Sequence, residues 1–285
     1  MTRLQMTAHA KLNLTLDVVG KRPDGFHDLC MVMQEITLGD EVALTLGTGR
    51  PWKVVSGSAE IPGDDSNLAI KAAKLFFGET GIDCGGLTVE IEKRTPVCAG
   101  MGGGSADGAA VLRLLYEHYG RPISEEALYL LAERTGSDVP FALFGGTALA
   151  EEKGQVLTRL SPMPQCFIVL CKPPFPVSTP ELFRAIDGET IRRRPDNRAM
   201  CRALEMGALS AVAALTYNVF EPVVTRSHPE LTVIKDTMCA CGALSACMTG
   251  SGPTVFGIFA EETSAKRAYA RLKREFPDTF LTKPV

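Results

Sequence analysis

A glycine-rich segment, PVCAGMGGGSADGAA at residues 96–110, has the composition that points most directly to chemistry. Its glycines can adopt positive φ and let the backbone approach a ligand closely. The segment leads into a predicted helix, whose first N–H groups are unpaired and lie at the positive end of the helix dipole. This combination predicts a phosphate-binding loop, and the alternative is a flexible loop or helix cap without a ligand. The glycines concerned are Gly100, Gly102, Gly103 and Gly104.

Two ionisable residues outside this loop could take part in a reaction. Asp138, in GSDVP, has a carboxylate that could accept a proton as a general base. Its position before Pro140 also fits a helix N-cap, and the two roles are compatible. Lys11, in AKLNL, would usually be a solvated surface charge when considered alone.

The glycine-rich segment does not match the two best known phosphate loops. No Lys-Ser or Lys-Thr ends it, so the Walker A pattern is absent. A G-x-G-x-x-G pattern is also absent, since Asp107 stands where the third glycine would be. A third type of nucleotide loop is therefore required.

The elements that position these residues follow from hydrophobic periodicity. Apolar residues alternate with polar ones over residues 12–18, which predicts a half-buried strand with Lys11 and Asn13 on its polar face. The following segment, GKRPDGFH at residues 20–27, predicts a turn that projects Phe26 and His27.

Three helices and a second strand are predicted in the rest of the first half. A second alternation, from Leu87 to Ile91, predicts the strand. We expect Ser66 to cap a first helix, a second helix to begin near Ser105, and Ser124 to cap a third.

The second half also mixes helices and strands. An apolar run at residues 166–170 predicts a buried central strand, and residues 254–259 predict another. Ser227 with Glu230 predicts a capping-box helix, and a last helix is expected to end at Pro277. We therefore expect an α+β or α/β protein whose two domains meet near residue 160.

Charge and cysteine content exclude several classes of protein. The 285-residue chain has a net charge of −3, without the basic surplus of a duplex nucleic-acid binder. Its nine cysteines contain no CxxC pair, which supports neither a zinc site nor a disulfide framework and favours a reducing compartment. With no apolar run of membrane-spanning length and no signal-peptide pattern, we expect a cytoplasmic protein with no nucleic-acid or membrane partner.

Several blocks of the sequence resemble the GHMP kinase superfamily. The main ones are AKLNLTLDVVGKRPDGFHDL at residues 10–29, the glycine-rich segment, and MTGSGPTVFGIF at residues 248–259; NVFEP at residues 218–222 agrees. The first block, A-K-x-N-L followed by G-K-R-x-D-G-[YF]-H, resembles the members that phosphorylate a cytidyl-diphospho methylerythritol. The resemblance implies transfer of the γ-phosphoryl group of ATP to the 2-hydroxyl of that substrate, with Mg²⁺ as a cofactor. It also implies a monomer or weak homodimer.

The resemblance also implies a fold and a role for individual residues. It implies an α+β fold with the active site in the cleft between a ribosomal-protein-S5-like domain, residues 1–160, and a ferredoxin-like domain, residues 161–285. Lys11 and Asp138 are then catalytic, and Asp138 also contacts the substrate. The implied substrate contacts are Asn13, Phe26, His27 and Phe183. The implied ATP contacts are Asn67, Lys93, Pro96, Ala99, Gly100, Met101, Gly102, Gly103, Gly104 and Ser105, with Ser105 also a weak Mg²⁺ ligand.

Three residues depart from the family pattern, and two other functions stay open. Met101 replaces Leu, Gly108 replaces Ala in what we expect to be the first helical turn, and Phe26 replaces the more frequent Tyr. One alternative is a GHMP kinase with a different acceptor alcohol. The other is a noncatalytic nucleotide-binding protein on the same fold, against which the presence of both Lys11 and Asp138 argues.

Overall fold

The computed structural model describes all 285 residues of the chain, in eleven strands and ten helices. The strands are β1 Thr2–Lys21, β2 His27–Leu46, β3 Lys53–Ser56, β4 Leu87–Glu92, β5 Thr147–Glu152, β6 Val156–Arg159, β7 Phe167–Cys171, β8 Tyr217–Asn218, β9 Ser245–Met248, β10 Val255–Phe259 and β11 Thr279–Thr282. The helices are α1 Leu68–Thr80, α2 Gly103–His118, α3 Glu125–Thr135, α4 Val139–Phe144, α5 Thr179–Asp187, α6 Asn197–Glu205, α7 Leu209–Ala214, α8 Glu221–Ser227, α9 Glu230–Ala240 and α10 Glu262–Leu272.

The chain forms two compact units that do not follow chain order. The first unit comprises residues 1–10, 38–97 and 102–145, and the second unit comprises residues 11–37, 98–101 and 146–285. The long strands β1 and β2 each contribute one part to the first unit and another part to the second. The predicted division of the chain into residues 1–160 and 161–285 stays a prediction.

The first unit packs four helices against a sheet. Strand β2 pairs antiparallel with β4, and β3 pairs parallel with β4. The apolar faces of α1, α2, α3 and α4 meet in one hydrophobic core with the buried residues of these strands. Fully buried side chains of this core include Phe76, Leu44 and Leu87.

The second unit contains two sheet regions. In one, β1 pairs parallel with β8, and β2 pairs antiparallel with β5, which pairs with β6. The other is a four-stranded antiparallel sheet in the order β11-β7-β10-β9, against which α9 and α10 pack. The predicted central strand at residues 166–170 is confirmed as β7, and the strand at residues 254–259 as β10. The mixed helix and strand content confirms the α+β class.

Strand β1 is more deeply buried than its alternating pattern predicts. All residues from Leu12 to Val18 are buried, so the prediction of a half-buried strand is wrong. The polar face is covered by other parts of the second unit: the Thr15 hydroxyl bonds Asn197, and Arg194 bonds Asp17. Because these polar groups form hydrogen bonds, the polar residues that alternate with apolar ones in β1 can be buried.

The helix starts agree only in part with the capping signals. Ser124 accepts the Ala127 N–H as the N-cap of α3, as predicted. The prediction for Ser66 is wrong, since Asn67 occupies the N-cap of α1 and accepts the Ala69 N–H at 2.9 Å. The capping-box prediction is also wrong, because Ser227 is the last residue of α8 and α9 begins separately at Glu230.

Two further expectations concern helix ends. Helix α2 begins at Gly103, two residues before the predicted start. Helix α10 ends at Leu272 rather than continuing to Pro277. No helix of the chain has both the length and the apolar character that crossing a bilayer requires.

Candidate active site

The glycine-rich segment adopts left-handed backbone conformations at three residues before α2 begins, and one of them is Cys98, with φ of 52°. Gly100 has φ of 73° and Gly102, the N-cap of α2, has φ of 68°. Both values are costly for residues that have a β-carbon, which explains the glycines at these two positions. Helix α2 therefore begins directly after the loop, and the predicted contact of the N–H groups of its first turn with a phosphate stays a prediction.

Within the second unit, Gly100 lies directly against the turn at residues 249–253. A β-carbon on Gly100 would be 2.5 Å from the Thr249 carbonyl oxygen and 3.0 Å from the Gly252 nitrogen. A β-carbon on Gly250 would in turn be 2.5 Å from the Gly100 carbonyl oxygen. Gly100 and Gly250 can therefore pack against each other's backbone only because neither has a side chain.

A buried amide holds this turn in place. Asn218 in NVFEP donates from Nδ2 to the carbonyl oxygens of Met248 and Gly250, both at 2.8 Å. Its Oδ1 accepts the Phe220 N–H at 2.9 Å. Nearby, the Glu221 carboxylate accepts the Met248 N–H at 2.6 Å. The block at residues 218–222 and the block at residues 248–259 are therefore joined by hydrogen bonds.

Lys11 and Asn13 reach the same assembly from β1. The Lys11 ammonium is buried and donates to Asn13 Oδ1 at 2.7 Å, and the Lys11 N–H donates to the Met101 carbonyl oxygen at 3.0 Å. The Asn13 N–H donates to the Thr249 hydroxyl at 2.9 Å. Lys11 is thus not the solvated surface charge that its residue type alone would indicate.

In the first unit, Lys93 lies between two buried carboxylates. Its ammonium donates to Asp107 at 3.0 Å and to Asp40, and the three side chains are less than a tenth exposed. A β-carbon on Gly103 would lie 3.2 Å from this ammonium, so the cluster supports the first residue of α2. Burial opposes the charge on Lys93, but the charges of Asp107 and Asp40 outweigh it and raise the pKa of Lys93.

The two carboxylates are not equivalent. Asp40 also accepts the backbone N–H groups of Arg94 at 2.7 Å and Thr95 at 2.8 Å, whereas Oδ1 of Asp107 is buried with no partner. Burial raises the pKa of Asp107 to about 7, against the attraction of Lys93. One ammonium cannot fully neutralise two buried carboxylates, so burial outweighs the attraction of Lys93 in setting the pKa of Asp107. Asp40 has three donors around its carboxylate, whereas Asp107 has Lys93 alone.

Asp138 occupies the N-cap position of α4 with Pro140 at the second helical position. Its side chain makes no capping hydrogen bond, so the N-cap explanation does not account for the carboxylate. The residue is partly exposed. Its predicted part in the reaction stays a prediction.

On the substrate side of the prediction, His27 and Phe183 lie against each other. The imidazole stacks on the Phe183 ring with centroids 4.6 Å apart and planes 22° apart, and Phe183 packs edge-on against Phe220. His27 is buried, whereas Phe26 is 58% exposed. The predicted turn therefore projects Phe26 into solvent but folds His27 inward.

The remaining predicted ATP contacts lie along the loop and beside it. Ala99 and Met101 are buried, whereas Pro96, Gly104 and Ser105 have solvent-accessible surface. The Asn67 amide is engaged as the α1 cap and as a donor to the Pro62 carbonyl oxygen. Its predicted contact with ATP, like the one predicted for Lys93, stays a prediction.

One departure from the family pattern has a packing reason. Gly108 lies in the second turn of α2, not in the first as the sequence indicates. A β-carbon there would lie 3.2 Å from the Leu68 carbonyl oxygen and 3.3 Å from Thr135 Cγ2. The glycine lets α2 approach the start of α1 closely.

Three residues that hold the candidate site together are not predicted from the sequence. Asp40 lies in the largely apolar strand segment ITLGDEVALTL, where a buried acidic residue requires a partner. Asn218 lies in a noted block, but nothing in the block identifies the amide as the anchor of another turn. Asp187, which bonds His27, gives no signal in the sequence.

Comparisons with known proteins identify the family to which the chain belongs. The family model described as GHMP kinases N terminal domain matches residues 67–146, and the one described as GHMP kinases C terminal matches residues 194–278. The first match contains the glycine-rich loop and Asp138, and the second contains Asn218 and the turn at residues 249–253.

Relatives and solved structures match over nearly the whole chain. A 4-diphosphocytidyl-2-C-methyl-D-erythritol kinase of Pelotomaculum thermopropionicum is 44% identical over 97% of this chain and 96% of its own length. One of Geobacillus kaustophilus is 41% identical over 95% of this chain and 93% of its own length.

The structural comparison includes close and distant kinases. A crystal structure of 4-(cytidine 5'-diphospho)-2C-methyl-D-erythritol kinase has 31% identity and a TM-score of 0.83, covering 99% of both chains. A homoserine kinase from Cytophaga hutchinsonii, at 17% identity and a TM-score of 0.76, covers all of this chain and 95% of its own and shows the shared fold alone. The chain therefore belongs to the GHMP kinases, and among them to the family of the 4-diphosphocytidyl-2-C-methyl-D-erythritol kinases, which are ATP-dependent small-molecule kinases.

Proposed function

We propose that this chain transfers the γ-phosphoryl group of ATP to the 2-hydroxyl of 4-diphosphocytidyl-2-C-methyl-D-erythritol, giving the 2-phosphate and ADP. Relatives named for this substrate match the chain from end to end at 38–44% identity. The reaction uses ATP and a soluble acceptor, so we expect it in the cytoplasm, performed by a monomer or weak homodimer.

The observation that carries the choice of substrate is the stack of His27 on Phe183. A base that forms an edge-on hydrogen bond with the imidazole lies in the imidazole plane, which is 22° from the plane of Phe183. Phe183 can therefore stack on such a base as well, at the aromatic distances that favour stacking. Phe26, exposed beside His27, supplies the opposite face of the base.

The glycine-rich loop supplies the groups that hold the phosphates of ATP. Phosphoryl transfer depends mainly on positioning and on stabilising charge, so N–H groups fixed by Gly100, Gly102 and the start of α2 suit it. Pro96, Ala99 and Met101 shape the loop, and we propose that Asn67 and Lys93 lie beside the adenosine. In the predicted division of the chain, residues 1–160 would supply the loop and both catalytic residues, and residues 161–285 would supply Phe183.

The protein oxygens near the loop fit a magnesium ion that is held largely by nucleotide phosphates. No group of three His, Cys, Asp or Glu residues is arranged to hold a metal, and Mg²⁺ ordinarily keeps several waters and uses few protein ligands. The Ser105 hydroxyl, in the first turn of α2, is the side chain that would contact it. When bound, the ion neutralises charge on the phosphate oxygens.

We assign the proton transfer to Asp138 and the charge stabilisation to Lys11. The Asp138 carboxylate does not cap α4, and we propose that it accepts the proton of the 2-hydroxyl. The Lys11 ammonium, fixed by Asn13, stabilises negative charge that develops during transfer. Asn13 is thereby held toward the substrate as well.

An acceptor comparison tests the proposed substrate. ADP release is measured with the purified chain, ATP and Mg²⁺, using the cytidyl-diphospho methylerythritol, mevalonate or homoserine as the acceptor in separate reactions. We expect turnover with the first only. Turnover restricted to mevalonate or homoserine would assign the chain to the alternative of a different acceptor alcohol, and no turnover with any would favour the noncatalytic alternative.

A substitution tests the assignment of the base. We expect Asp138→Asn to lower kcat by about 10²–10⁴-fold, the range that general-base catalysis contributes. ATP affinity, measured by calorimetry, is expected to change by less than about twofold because the glycine loop is untouched. The control is Asp278→Asn, an exposed carboxylate that pairs with Lys172 in the second unit. Near-normal kcat in Asp138→Asn would remove Asp138 from the chemistry.

A further inference from the structure

One face of α5 connects the turn at residues 249–253 to the imidazole of His27. The residues on this face, Thr179, Phe183 and Asp187, follow each other at intervals of four, which places them along one side of a helix. Thr179 donates its hydroxyl to Ser251 at 2.9 Å. Phe183 stacks on His27, and Asp187 bonds the same imidazole.

Asp187 binds two partners with its two oxygens. Oδ1 is 2.6 Å from His27 Nε2, and Oδ2 accepts a hydrogen bond from the Lys21 ammonium at 2.5 Å. The Lys21 and His27 hydrogen bonds hold the pKa of Asp187 below its ordinary value. The carboxylate is therefore ionised near neutral pH and can only accept hydrogen bonds.

The position of Asp187 has no local explanation. It is the last residue of α5, where the negative end of the helix dipole disfavours a carboxylate. A basic or neutral residue would suit the helix better. Asp187 is accounted for only by its contacts with His27 and Lys21.

An acceptor on one ring nitrogen decides the state of the other. Because Asp187 can only accept, His27 Nε2 must carry the proton, which leaves Nδ1 of the neutral imidazole as an acceptor. Such a nitrogen binds the exocyclic amino group of cytosine, a donor, and not the O4 carbonyl of uracil, an acceptor. The same partner logic fixes the tautomers of metal-binding histidines.

We propose that Asp187 is a positioning residue that fixes the tautomer of His27, so that the site recognises a cytidyl group and rejects a uridyl group. Phe183 sets the plane of the imidazole, and Asp187 sets its rotation within that plane and its hydrogen-bonding character. This inference rests on the proposed function, in which His27 contacts the base.

The tautomer can be measured directly, without substrate or activity. In ¹⁵N-labelled full-length protein, at a pH where the imidazole is neutral, the His27 ring nitrogens are read by two-dimensional NMR. We expect a protonated Nε2 and an unprotonated Nδ1 in the unsubstituted protein. A protonated Nδ1 would overturn the proposal with no need for a variant.

Binding of nucleotides tests the consequence. Calorimetry compares cytidine 5′-diphosphate with uridine 5′-diphosphate, with a nonhydrolysable ATP analogue present to occupy the ATP site. Asp187→Asn offers the imidazole either an acceptor or a donor, so both tautomers can form. We expect the preference for the cytidyl over the uridyl nucleotide to fall by about tenfold or more, with ATP affinity changed by less than about twofold.

The outcomes separate the two proposals. The control Asp278→Asn removes an exposed carboxylate of the second unit and should leave both the preference and the His27 nitrogen signals unchanged. An unchanged preference in Asp187→Asn, with a preference present in the unsubstituted protein, overturns the role of Asp187 alone. A lack of any cytidyl preference in the unsubstituted protein also overturns the inference, whereas the proposed function is overturned only if the chain does not phosphorylate the cytidyl compound.

Discussion

Gly100 and Thr249 lie so close that a β-carbon on Gly100 would be 2.5 Å from the Thr249 carbonyl oxygen. Gly250 makes the reciprocal approach to the Gly100 carbonyl oxygen. The Thr249 hydroxyl also accepts the Asn13 N–H, so this contact joins the glycine-rich loop, the turn and β1 within the second unit. The shape of the loop therefore depends on a turn that lies far away in sequence.

We expect Gly100→Ala to damage both stability and nucleotide binding. The alanine would face a backbone oxygen that cannot move aside easily, at a φ of 73° that itself costs about 1–2 kcal/mol. Urea unfolding should show a loss of about 2 kcal/mol or more, and ATP affinity should fall by about tenfold or more. Gly78→Ala, in α1 with nothing near its β-carbon, is the control and should not destabilise. Equal stability of the two variants would contradict the contact.

The anchoring amide should matter as much as the glycines. We expect Asn218→Ala to lower the free energy of unfolding by roughly 2–4 kcal/mol, because two buried carbonyl oxygens lose their donor. Thermal or urea unfolding measures this loss, with the half-buried Thr216→Ala expected to lose less than about 1 kcal/mol. A loss in Asn218→Ala no greater than in Thr216→Ala would mean that the turn does not depend on the amide.

Removal of Lys93 should destabilise far more than removal of its neighbour. Lys93→Met leaves Asp40 and Asp107 buried without a counter-charge, which typically costs about 3–5 kcal/mol. Arg94→Met removes exposed ion pairs with Glu41 and Glu92 and should cost less than about 1 kcal/mol. Urea unfolding of the two variants without nucleotide gives the comparison. A small effect of Lys93→Met would show that the carboxylates are neutral or hydrated.

Asp107 should make stability fall as the pH rises. Its pKa of about 7 in the folded chain lies above the value of 3.8 expected when unfolded, so between these values the folded state binds more protons. The stability that this carboxyl retains below pH 4 is therefore lost as the pH rises toward 7. In metal-free protein we expect Asp107→Asn to remove this decline of the free energy of unfolding with pH. Compared with the unsubstituted protein, the variant should therefore become relatively more stable at pH 8 than at pH 4, by on the order of a few kcal/mol.

The measurement is the difference in the free energy of unfolding between the unsubstituted protein and Asp107→Asn at each pH. Other carboxylates, such as Asp64 and Asp187, have lowered pKa values and give slopes of the opposite sign in both. Their contributions cancel in the difference. Parallel stability curves between pH 4 and pH 8 would contradict a raised pKa at Asp107.

Local sequence signals predicted the fold well where they act locally. Ser124 caps α3 as expected because its hydroxyl needs only a backbone N–H three residues away. The predictions that Ser66 and Ser227 are N-caps are wrong. Asn67 caps α1 instead, and Ser227 is the last residue of α8. The residue types alone could not decide between adjacent candidates.

The sequence indicated candidate residues of the site but not the contacts between them. The sequence identified the glycine-rich loop, Lys11 and His27, yet it gave no indication that Asp187 bonds His27. The partner Asp40 lies more than fifty residues before Lys93, and such pairings are set by the folded chain. Patterns with a period of two or 3.6 residues carry no information about them.

The central claim, that the chain phosphorylates the cytidyl-diphospho methylerythritol, is tested most directly in a mixture of acceptors. Equal amounts of that compound, mevalonate and homoserine are incubated with the purified chain, Mg²⁺ and limiting ATP, and the products are read by ³¹P NMR. We expect one new phosphomonoester signal, on the 2-oxygen of the cytidyl compound, in amounts that match the ADP formed. A phosphomonoester on mevalonate or homoserine, with the cytidyl compound unchanged, would contradict the account.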